Sequence, residues 1–239
     1  MLTKNQGIVL SKIKYRDNDL IVKCYTKERG IVSYILRGVL KSKRGSSPTI
    51  YFQVLSQLQF EENFRANRSL QEIKEVKFSY IYRSLNSNIY KSSIALFLSE
   101  ILSNSLKEEE KNEALFNYLE TALQYLDSSE QFSNFHLLFL LKLTRYLGFQ
   151  PENKNLDQSY FNLESGNFEL NNQGIHSISG ENLTLLKKLL GTNFDALNSI
   201  KINAKQRREF LNVLLHYFEL HLDGFKKPKS LQVLNEVFH

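Results

Sequence analysis

The residues best suited to chemistry in this sequence are cations interleaved with tyrosines in its first third. Lysine and arginine neutralise phosphates, and a flat tyrosine ring offers a surface on which an unpaired base can stack. The cations that we expect to contact nucleic acid are Lys12, Lys14, Arg16, Lys23, Lys27, Arg37, Lys41, Lys43 and Arg44. The base-stacking candidates are Tyr15, Tyr25, Tyr34 and Tyr51.

The positive charge of the chain belongs to that same third. The whole sequence carries a net charge of +6, with an isoelectric point near 9.2. Residues 1–80 contain 15 basic and 7 acidic residues, or +8, which leaves −2 for the remainder. This asymmetry favours a polyanionic partner. The competing interpretation is that the cations only solubilise this part and that the tyrosines pack beneath them.

Other reactive residue types do not assemble into a recognisable catalytic or metal site. His216 and His221 are five residues apart on a predicted helix and therefore point in different directions, while His136 precedes an apolar face typical of a core histidine. The single cysteine, Cys24, excludes an intrachain disulfide and a CxxC metal site. The acidic run 108–110 is typical of a solvated helix start. We expect no catalytic residue, no metal, no cofactor and no small-molecule substrate.

Two hydrophobic periodicities indicate how these residues are positioned. Up to residue 80, short alternating runs rich in β-branched and aromatic residues predict five strands. Five twisted antiparallel strands hide their edges best by closing, which favours a small barrel of the OB type, with an SH3-like barrel as the nearest alternative. The predicted strands are residues 7–15, 20–26, 31–39, 51–60 and 70–78.

Beyond residue 80 the apolar residues recur at three- and four-residue steps, which predicts helices. Residues 152–180 interrupt this pattern and contain a possible hairpin at 160–170. The fold class is therefore α+β, with an OB-fold domain at 1–80 and an all-α domain at 81–239. The predicted helices are 86–106, 112–127, 131–147, 181–191, 203–223 and 230–238.

The chain lacks the signals of secretion and of membrane insertion. No apolar secretory segment follows Met1, and the longest apolar run, residues 137–141, is far shorter than a membrane span. With a single cysteine, a reducing compartment is expected. We interpret the chain as a soluble cytoplasmic protein.

Three motifs of the sequence resemble the RecO family of bacterial recombination mediators. They are the opening hairpin at 7–22, the pair of segments 26–31 and 36–44, and the helix end at 141–151. The resemblance implies an N-terminal OB fold, a helical C-terminal domain, binding of single- and double-stranded DNA, and annealing of complementary strands. It also implies that RecR and the C-terminal tail of single-stranded DNA-binding protein are partners, that RecA is loaded at gaps in the RecF pathway, and that the protein works at the bacterial nucleoid.

One departure from the family concerns zinc. Many members carry a four-cysteine zinc module directly after the helix end, whereas residues 152–180 contain no cysteine here. We therefore predict a small cysteine-free hairpin without zinc. Its apolar residues are Tyr160, Phe161, Leu163, Phe168 and Leu170.

The helical half offers a second candidate surface. Lys142 and Arg145 can rim an apolar groove that accepts an acidic, hydrophobic-ended peptide tail, although a packed helix with two ordinary surface cations is the alternative. A rival for the whole chain is a non-catalytic scaffold whose basic barrel binds an acidic protein or an anionic membrane surface. Strand annealing separates this scaffold from a mediator. A nuclease is third, because the basic third lacks clustered carboxylates.

Overall fold

The N-terminal part of the chain is an antiparallel sheet of five strands. The structure is a computed structural model that describes residues 2–41, 48–107 and 110–238. The strands of the sheet are β1 (Leu2–Tyr15), β2 (Asp19–Thr26), β3 (Gly30–Leu36), β4 (Gln57–Asn63) and β5 (Glu72–Tyr80). They lie in the order β3-β2-β1-β4-β5.

A bulge allows β1 to serve two neighbours. Its first half pairs with β4 and its second half with β2, and Leu10 is the extra residue between the pairs Val9–Cys24 and Ser11–Lys23. A bulge of this kind bends its strand and increases the local twist. Beyond it, Lys12 lies opposite Val22, and Lys14 is the partner of Leu20.

The sheet is not closed into a barrel, which corrects the closed five-stranded barrel expected from the sequence. Its two edges meet at one isolated parallel bridge between Tyr34 and Gln71. There the amide of Ile35 donates to the carbonyl of Gln71, and the amide of Gln71 donates to the carbonyl of Ser33, each at 2.9 Å. From Glu72 onward the chain pairs with β4 instead, so no continuous ladder joins the edges.

The fourth strand begins later than the predicted start at residue 51. A short 3-10 helix, Pro48–Ile50, leads into a turn, and Leu55 adopts a left-handed backbone with φ of 60°. The amide of Leu55 donates to Val9 at 2.7 Å, and the amide of Val9 donates to Ser56 at 3.0 Å. These two hydrogen bonds hold the turn against the bulge of β1. Phe52 is buried as expected, but it belongs to the turn and not to a strand.

Two helices complete the first compact unit, residues 1–128. They are α1 (Ile89–Ser105) and α2 (Glu113–Ser128), and α1 packs on β1. The side chain of Asn88 caps α1 by accepting hydrogen bonds from the amides of Tyr90 and Lys91. The helical segment covers part of the outer face of the sheet, since Lys23 Nζ donates to the carbonyl of Ser103 in α1 and the Tyr25 hydroxyl donates to the carbonyl of Asn112 just before α2.

The second compact unit, residues 129–239, is helical. Helices α3 (Phe135–Tyr146) and α4 (Gly180–Leu190) both pack against α5 (Ala204–His221), which begins with a capping box formed by Asn203 and Gln206. All six predicted helices are present, with ends within four residues of the predicted positions. No helix within the described ranges is both long and apolar enough to cross a bilayer. This unit also contains α6 (Leu231–Val237) and a 3-10 helix at Phe194–Ser199.

The predicted hairpin is present in a small three-stranded sheet of this second unit. Its strands are β6 (Tyr160–Asn162), β7 (Asn167–Glu169) and β8 (Ser177–Ile178), in the order β7-β6-β8. At the turn, Gly166 has a φ of +72°, and a Cβ atom there would lie 2.9 Å from the Tyr217 hydroxyl. Phe161, Leu163 and Phe168 are buried as expected, whereas Leu170 is 68% exposed and does not hold the hairpin.

Candidate nucleic-acid interface

The tip of the β1–β2 hairpin lies beside the loop that follows β3. The amide of Leu40 donates to the carbonyl of Asn18 at 3.0 Å, and the amide of Gly38 donates to Asp19 Oδ1 at 2.8 Å. These bonds bring five of the predicted cations to one end of the sheet, all of them exposed. We call them the tip cluster: Lys12, Lys14, Arg16, Arg37 and Lys41.

Two side chains of the tip cluster, Arg16 and Arg37, make weak contacts that leave their charges accessible to solvent. The Arg16 guanidinium lies 5.2 Å from the centre of the Tyr15 ring. Arg37 Nε is 3.8 Å from Glu72 Oε1, but the Arg37 side chain remains 64% exposed. An exposed ion pair of this kind contributes little energy and is screened by salt. A phosphate can therefore compete for these cations.

Lys12 and Lys14 owe their position to the register of β1. Residues directly opposite each other in an antiparallel pair point to the same face of the sheet. Lys12 thus shares a face with Val22, and Lys14 shares it with Leu20, both of which belong to the buried core. Both lysines lie in the part of β1 that pairs with β2 alone, since the pairing of β1 with β4 ends at Ile8, and both are exposed.

Two other predicted cations, Lys23 and Lys27, face the helices of the same unit. Lys23 Nζ donates to the carbonyl of Ser103 at 3.1 Å, and burial lowers the pKa of Lys23. Lys27 Nζ lies 3.5 Å from Glu113 Oε1, at the start of α2. The structure therefore does not bring these lysines to the tip cluster.

Two of the four tyrosines are buried, which corrects the expectation that they stack on bases. Tyr25 is 3% exposed and stacks on Phe116, with the ring centres 6.3 Å apart. Tyr34 is fully buried, and its hydroxyl donates to Glu62 Oε2 at 2.7 Å. Neither ring offers a face to a base. Tyr15 and Tyr51 are half-buried, and the centre of the Tyr51 ring lies 4.8 Å from that of Phe78; stacking of bases on these two rings stays a prediction.

The remaining predicted cations of the loop, Lys43 and Arg44, lie outside the described residues. Residues 42–47 are not described by the structure. Lys41, which precedes them, is exposed, and its amide donates to the carbonyl of Gly38 at 3.1 Å.

A second cationic surface in the first unit was not predicted from the sequence. It surrounds a groove of about 560 Å³ between the β2–β3 turn and the β4–β5 loop, with Arg29, Phe64 and Arg68 in its lining. The run Phe64-Arg-Ala-Asn-Arg68 carries the signal, since it places cations next to an aromatic residue. The same combination marks the predicted interface elsewhere in the first third, so this loop could have been found in the same way.

In the second unit, Lys142 and Arg145 lie three residues apart on α3. Lys142 is half-buried, and its Nζ donates to Asn193 Oδ1 at 3.2 Å. Burial, and then the charge of Arg145, lower the pKa of Lys142. Arg145 is exposed. Arg145 is thus exposed to solvent, whereas Lys142 is hydrogen-bonded to the residue that precedes the neighbouring 3-10 helix.

Two of the residues considered for catalysis in the sequence, Cys24 and His136, lie in the core. Cys24 is fully buried, and burial raises the pKa of its thiol. His136 is also buried, and burial, followed by the charge of Arg207, lowers its pKa to about 3. Across residues 2–41, 48–107 and 110–238, no group of three or more His, Cys, Asp or Glu side chains is placed to hold a metal ion.

Comparison with known proteins identifies similar chains along the whole sequence. A family model described as Recombination protein O N terminal matches residues 1–82, and one described as Recombination protein O C terminal matches residues 86–232. The DNA repair protein RecO of Christiangramia forsetii is 49% identical over 238 residues. Those of Flavobacterium psychrophilum and Bacteroides fragilis are 43% identical over 238 residues and 37% identical over 245 residues. In each comparison, 100% of both chains is covered.

Proposed function

Since this chain belongs to the RecO family of DNA repair proteins, we propose that it is a recombination mediator. In this proposal it binds single- and double-stranded DNA, anneals complementary strands and, with RecR, helps to load RecA at single-stranded gaps. The observation that carries the proposal is the tip cluster. Five exposed cations from two chain segments meet there, within the part of the chain that holds the excess positive charge.

The proposed mechanism is electrostatic. Phosphates of two strands repel each other, and cations placed between them lower that repulsion, so that base pairing can supply the free energy of annealing. The exposed lysines and arginines of the tip cluster suit this role because they contact phosphates without selecting a base sequence. No covalent step is required of the protein.

We further propose that the five-stranded sheet is an OB-like domain spanning residues 1–80, followed by a helical domain at 81–239. The strand order and the bridge between Tyr34 and Gln71 support an OB-like arrangement, since the OB fold is a partly open five-stranded barrel. Oligonucleotides bind that fold at its strands 2 and 3 and at two of its loops. The tip cluster includes one of those loops, the β1–β2 connection.

In the same proposal, the protein acts in the bacterial cytoplasm, and the tail of single-stranded DNA-binding protein binds at Lys142 and Arg145. The tail of that partner is acidic, as implied by the family resemblance, so an exposed cation such as Arg145 complements it. The half-buried Lys142 stem adds apolar surface beside its ammonium group.

The experiment that tests the proposal compares DNA binding and annealing. Gel-shift titrations of the full chain with single-stranded DNA at several salt concentrations are expected to show affinity that falls steeply as salt rises. Complementary oligonucleotides are expected to pair faster in its presence. A chain that binds DNA but does not accelerate pairing would instead be a non-catalytic scaffold, and a chain that binds no DNA would exclude the proposal.

A further inference from the structure

We propose that the groove between the β2–β3 turn and the β4–β5 loop is a subsite selective for single strands, which accepts one unpaired nucleotide. This inference rests on the proposed DNA binding and adds to it a second contact, separate from the tip cluster. It would give the protein a means of distinguishing unpaired DNA from duplex DNA.

The groove contains a flat platform built from two side chains. The Arg29 guanidinium lies over the Phe64 ring, with its central carbon 4.0 Å from the ring centre. Bases stack readily on aromatic rings and on arginine planes, and such stacking does not depend on base identity. Lysine could not replace Arg29 here, because an ammonium group has no planar face.

Arg29 is held in place by a buried polar network. Its Nε lies 3.4 Å from Glu62 Oε1. Glu62 is fully buried and accepts hydrogen bonds from the Tyr34 hydroxyl at 2.7 Å and from Asn5 Nδ2 at 2.9 Å. The carboxylate is thus fixed by residues of β1 and β3. The guanidinium is therefore oriented before any ligand arrives, which reduces the entropic cost of binding.

The loop on the other side of the groove is also ordered from within. The side chain of Gln71, 3% exposed, accepts from the amide of Arg65 at 2.8 Å and donates to the carbonyls of Arg65 at 2.9 Å and Arg68 at 2.6 Å. The amide group of one side chain thus binds three backbone atoms, which belong to two residues of the loop. Arg68 is consequently presented from a defined backbone, and its exposed side chain lines the groove.

The charges around the groove favour an anion. Arg29 is paired with the buried Glu62, and the acidic lining residue Glu28 is paired with Lys111 at 3.0 Å, so the exposed Arg68 supplies the excess positive charge of the lining. The volume of about 560 Å³ lies within the range of small-molecule sites and suits a single nucleotide. A paired base cannot lie against the platform, because its faces are covered by its neighbours in the duplex stack. An unpaired nucleotide fits both the flat platform and the positive charge of the groove, with its base on the platform and its phosphate near Arg68.

The first test compares two arginines of the same loop. Arg68→Ala is expected to lower the affinity for an oligothymidylate of about ten nucleotides roughly tenfold and to leave the affinity for blunt duplex DNA within twofold. Arg65→Ala is the matched control, because it removes the same charge from the same loop but from a residue outside the groove lining. Equal losses in the two variants, or equal losses for single strands and duplex, would overturn the inference.

The second test measures, by fluorescence, whether a base binds at the platform. The chain contains no tryptophan, so Phe64→Trp introduces a single indole whose emission reports on the groove. Oligothymidylate is expected to quench this emission, whereas blunt duplex DNA at the same phosphate concentration is not. Tyr90→Trp, at a position 46% exposed on α1, is the control and is expected to respond to neither.

The outcomes separate the two proposals. If the unaltered chain binds no DNA, the proposed function fails. If it binds DNA while the indole emission of the Phe64→Trp variant is unchanged and Arg68→Ala binds normally, only the groove inference fails. Stronger quenching by a poly-glutamate peptide than by oligothymidylate would assign the groove to an acidic protein partner and would also exclude the inference.

Discussion

The ammonium group of Lys91 lies 2.7 Å from the main-chain oxygen of Asp127, and both residues are buried. This bond joins the start of α1 to the end of α2. The Asp127 carboxylate in turn accepts hydrogen bonds from the amides of Arg83, Ser84 and Leu85, at 2.8 to 2.9 Å. One acidic side chain therefore fixes the segment that leads from the sheet into the helices.

Replacement of that carboxylate is expected to destabilise the protein in a pH-dependent way. Asp127→Asn should lower the free energy of unfolding by about 2 kcal/mol, since an amide oxygen accepts these bonds less strongly than a carboxylate. Burial alone would raise the pKa of Asp127, but the amides of Arg83, Ser84 and Leu85 hold it below its usual value. Stability from a depressed carboxyl pKa is present above the unfolded value of about 3.9 and is lost as the pH falls.

Urea denaturation at several pH values checks this prediction. The unaltered chain and Asp127→Asn should differ at neutral pH and approach each other below about pH 4. The exposed Asp157→Asn serves as the control and should follow the unaltered chain. A constant gap between the curves at all pH values would contradict the assigned role of the carboxylate.

The double variant Lys12→Ala, Lys14→Ala is expected to weaken DNA binding and flatten its salt dependence. Removing one lysine–phosphate interaction should reduce the slope of log affinity against log salt by about 0.7 for single strands, and removing both should reduce it by about 1.4. Lys4→Ala removes a charge from the opposite end of the same strand and should leave the slope unchanged. An unchanged slope in the folded double variant would remove β1 from the interface.

Lys23→Ala should affect stability instead of DNA binding. The ammonium group donates to the carbonyl of Ser103, so its loss leaves a helix-end oxygen without that donor. Because Lys23 is half-exposed, we expect a cost of about 1 kcal/mol in the free energy of unfolding. The salt slope for DNA should remain that of the unaltered chain. A flatter slope without loss of stability would show that Lys23 contacts phosphate after all.

Tyr34→Phe is expected to cost about 2 kcal/mol of stability, because the buried Glu62 carboxylate loses one of its donors. Burial and the charge of Glu62 raise the pKa of the Tyr34 hydroxyl, so it remains a donor at neutral pH. Thermal or urea unfolding measures the cost. Tyr15→Phe, near the hairpin tip, is the comparison and should change stability by less than about 0.5 kcal/mol. Equal effects would argue against a special role for Tyr34.

The double variant Lys142→Ala, Arg145→Ala is expected to bind an acidic, hydrophobic-ended peptide about tenfold more weakly, as measured by fluorescence anisotropy of the labelled peptide. Lys205→Ala, another exposed cation of the second unit, is the control. Equal affinity of the double variant and the unaltered chain would remove α3 from the peptide site.

The sequence predicts the helices well because their apolar residues recur at three- and four-residue steps and because several of them have a recognisable start or end. It predicts the fourth strand poorly, and the reason is local. Phe52 and Val54 alternate as in a strand, but Leu55 turns the chain with a left-handed backbone that no residue preference at that position indicates. The hydrogen bonds between that turn and Val9 join backbone atoms only, so the types of the residues involved do not indicate them.

For the candidate interface, the sequence shows which segments carry the positive charge, but it does not show which of those side chains are exposed to solvent. Alternation along β2 correctly separates Lys23 from the core residues Val22 and Cys24. It cannot show that the outer face is covered, because the covering residues, such as Ser103 and Asn112, are far away in the sequence. For the same reason the burial of Tyr25 could not be predicted from the pattern of its own strand.

That covering also determines how the chain can be divided for study. A fragment cut directly after Tyr80 would uncover the Tyr25 ring and the aliphatic stem of Lys23, which normally rest against the helices. Such a piece is expected to aggregate for reasons unrelated to DNA. A fragment that continues through Ser128 retains the two helices that cover these residues and coincides with the first compact unit, so the part of the chain that we propose to bind DNA is best excised there.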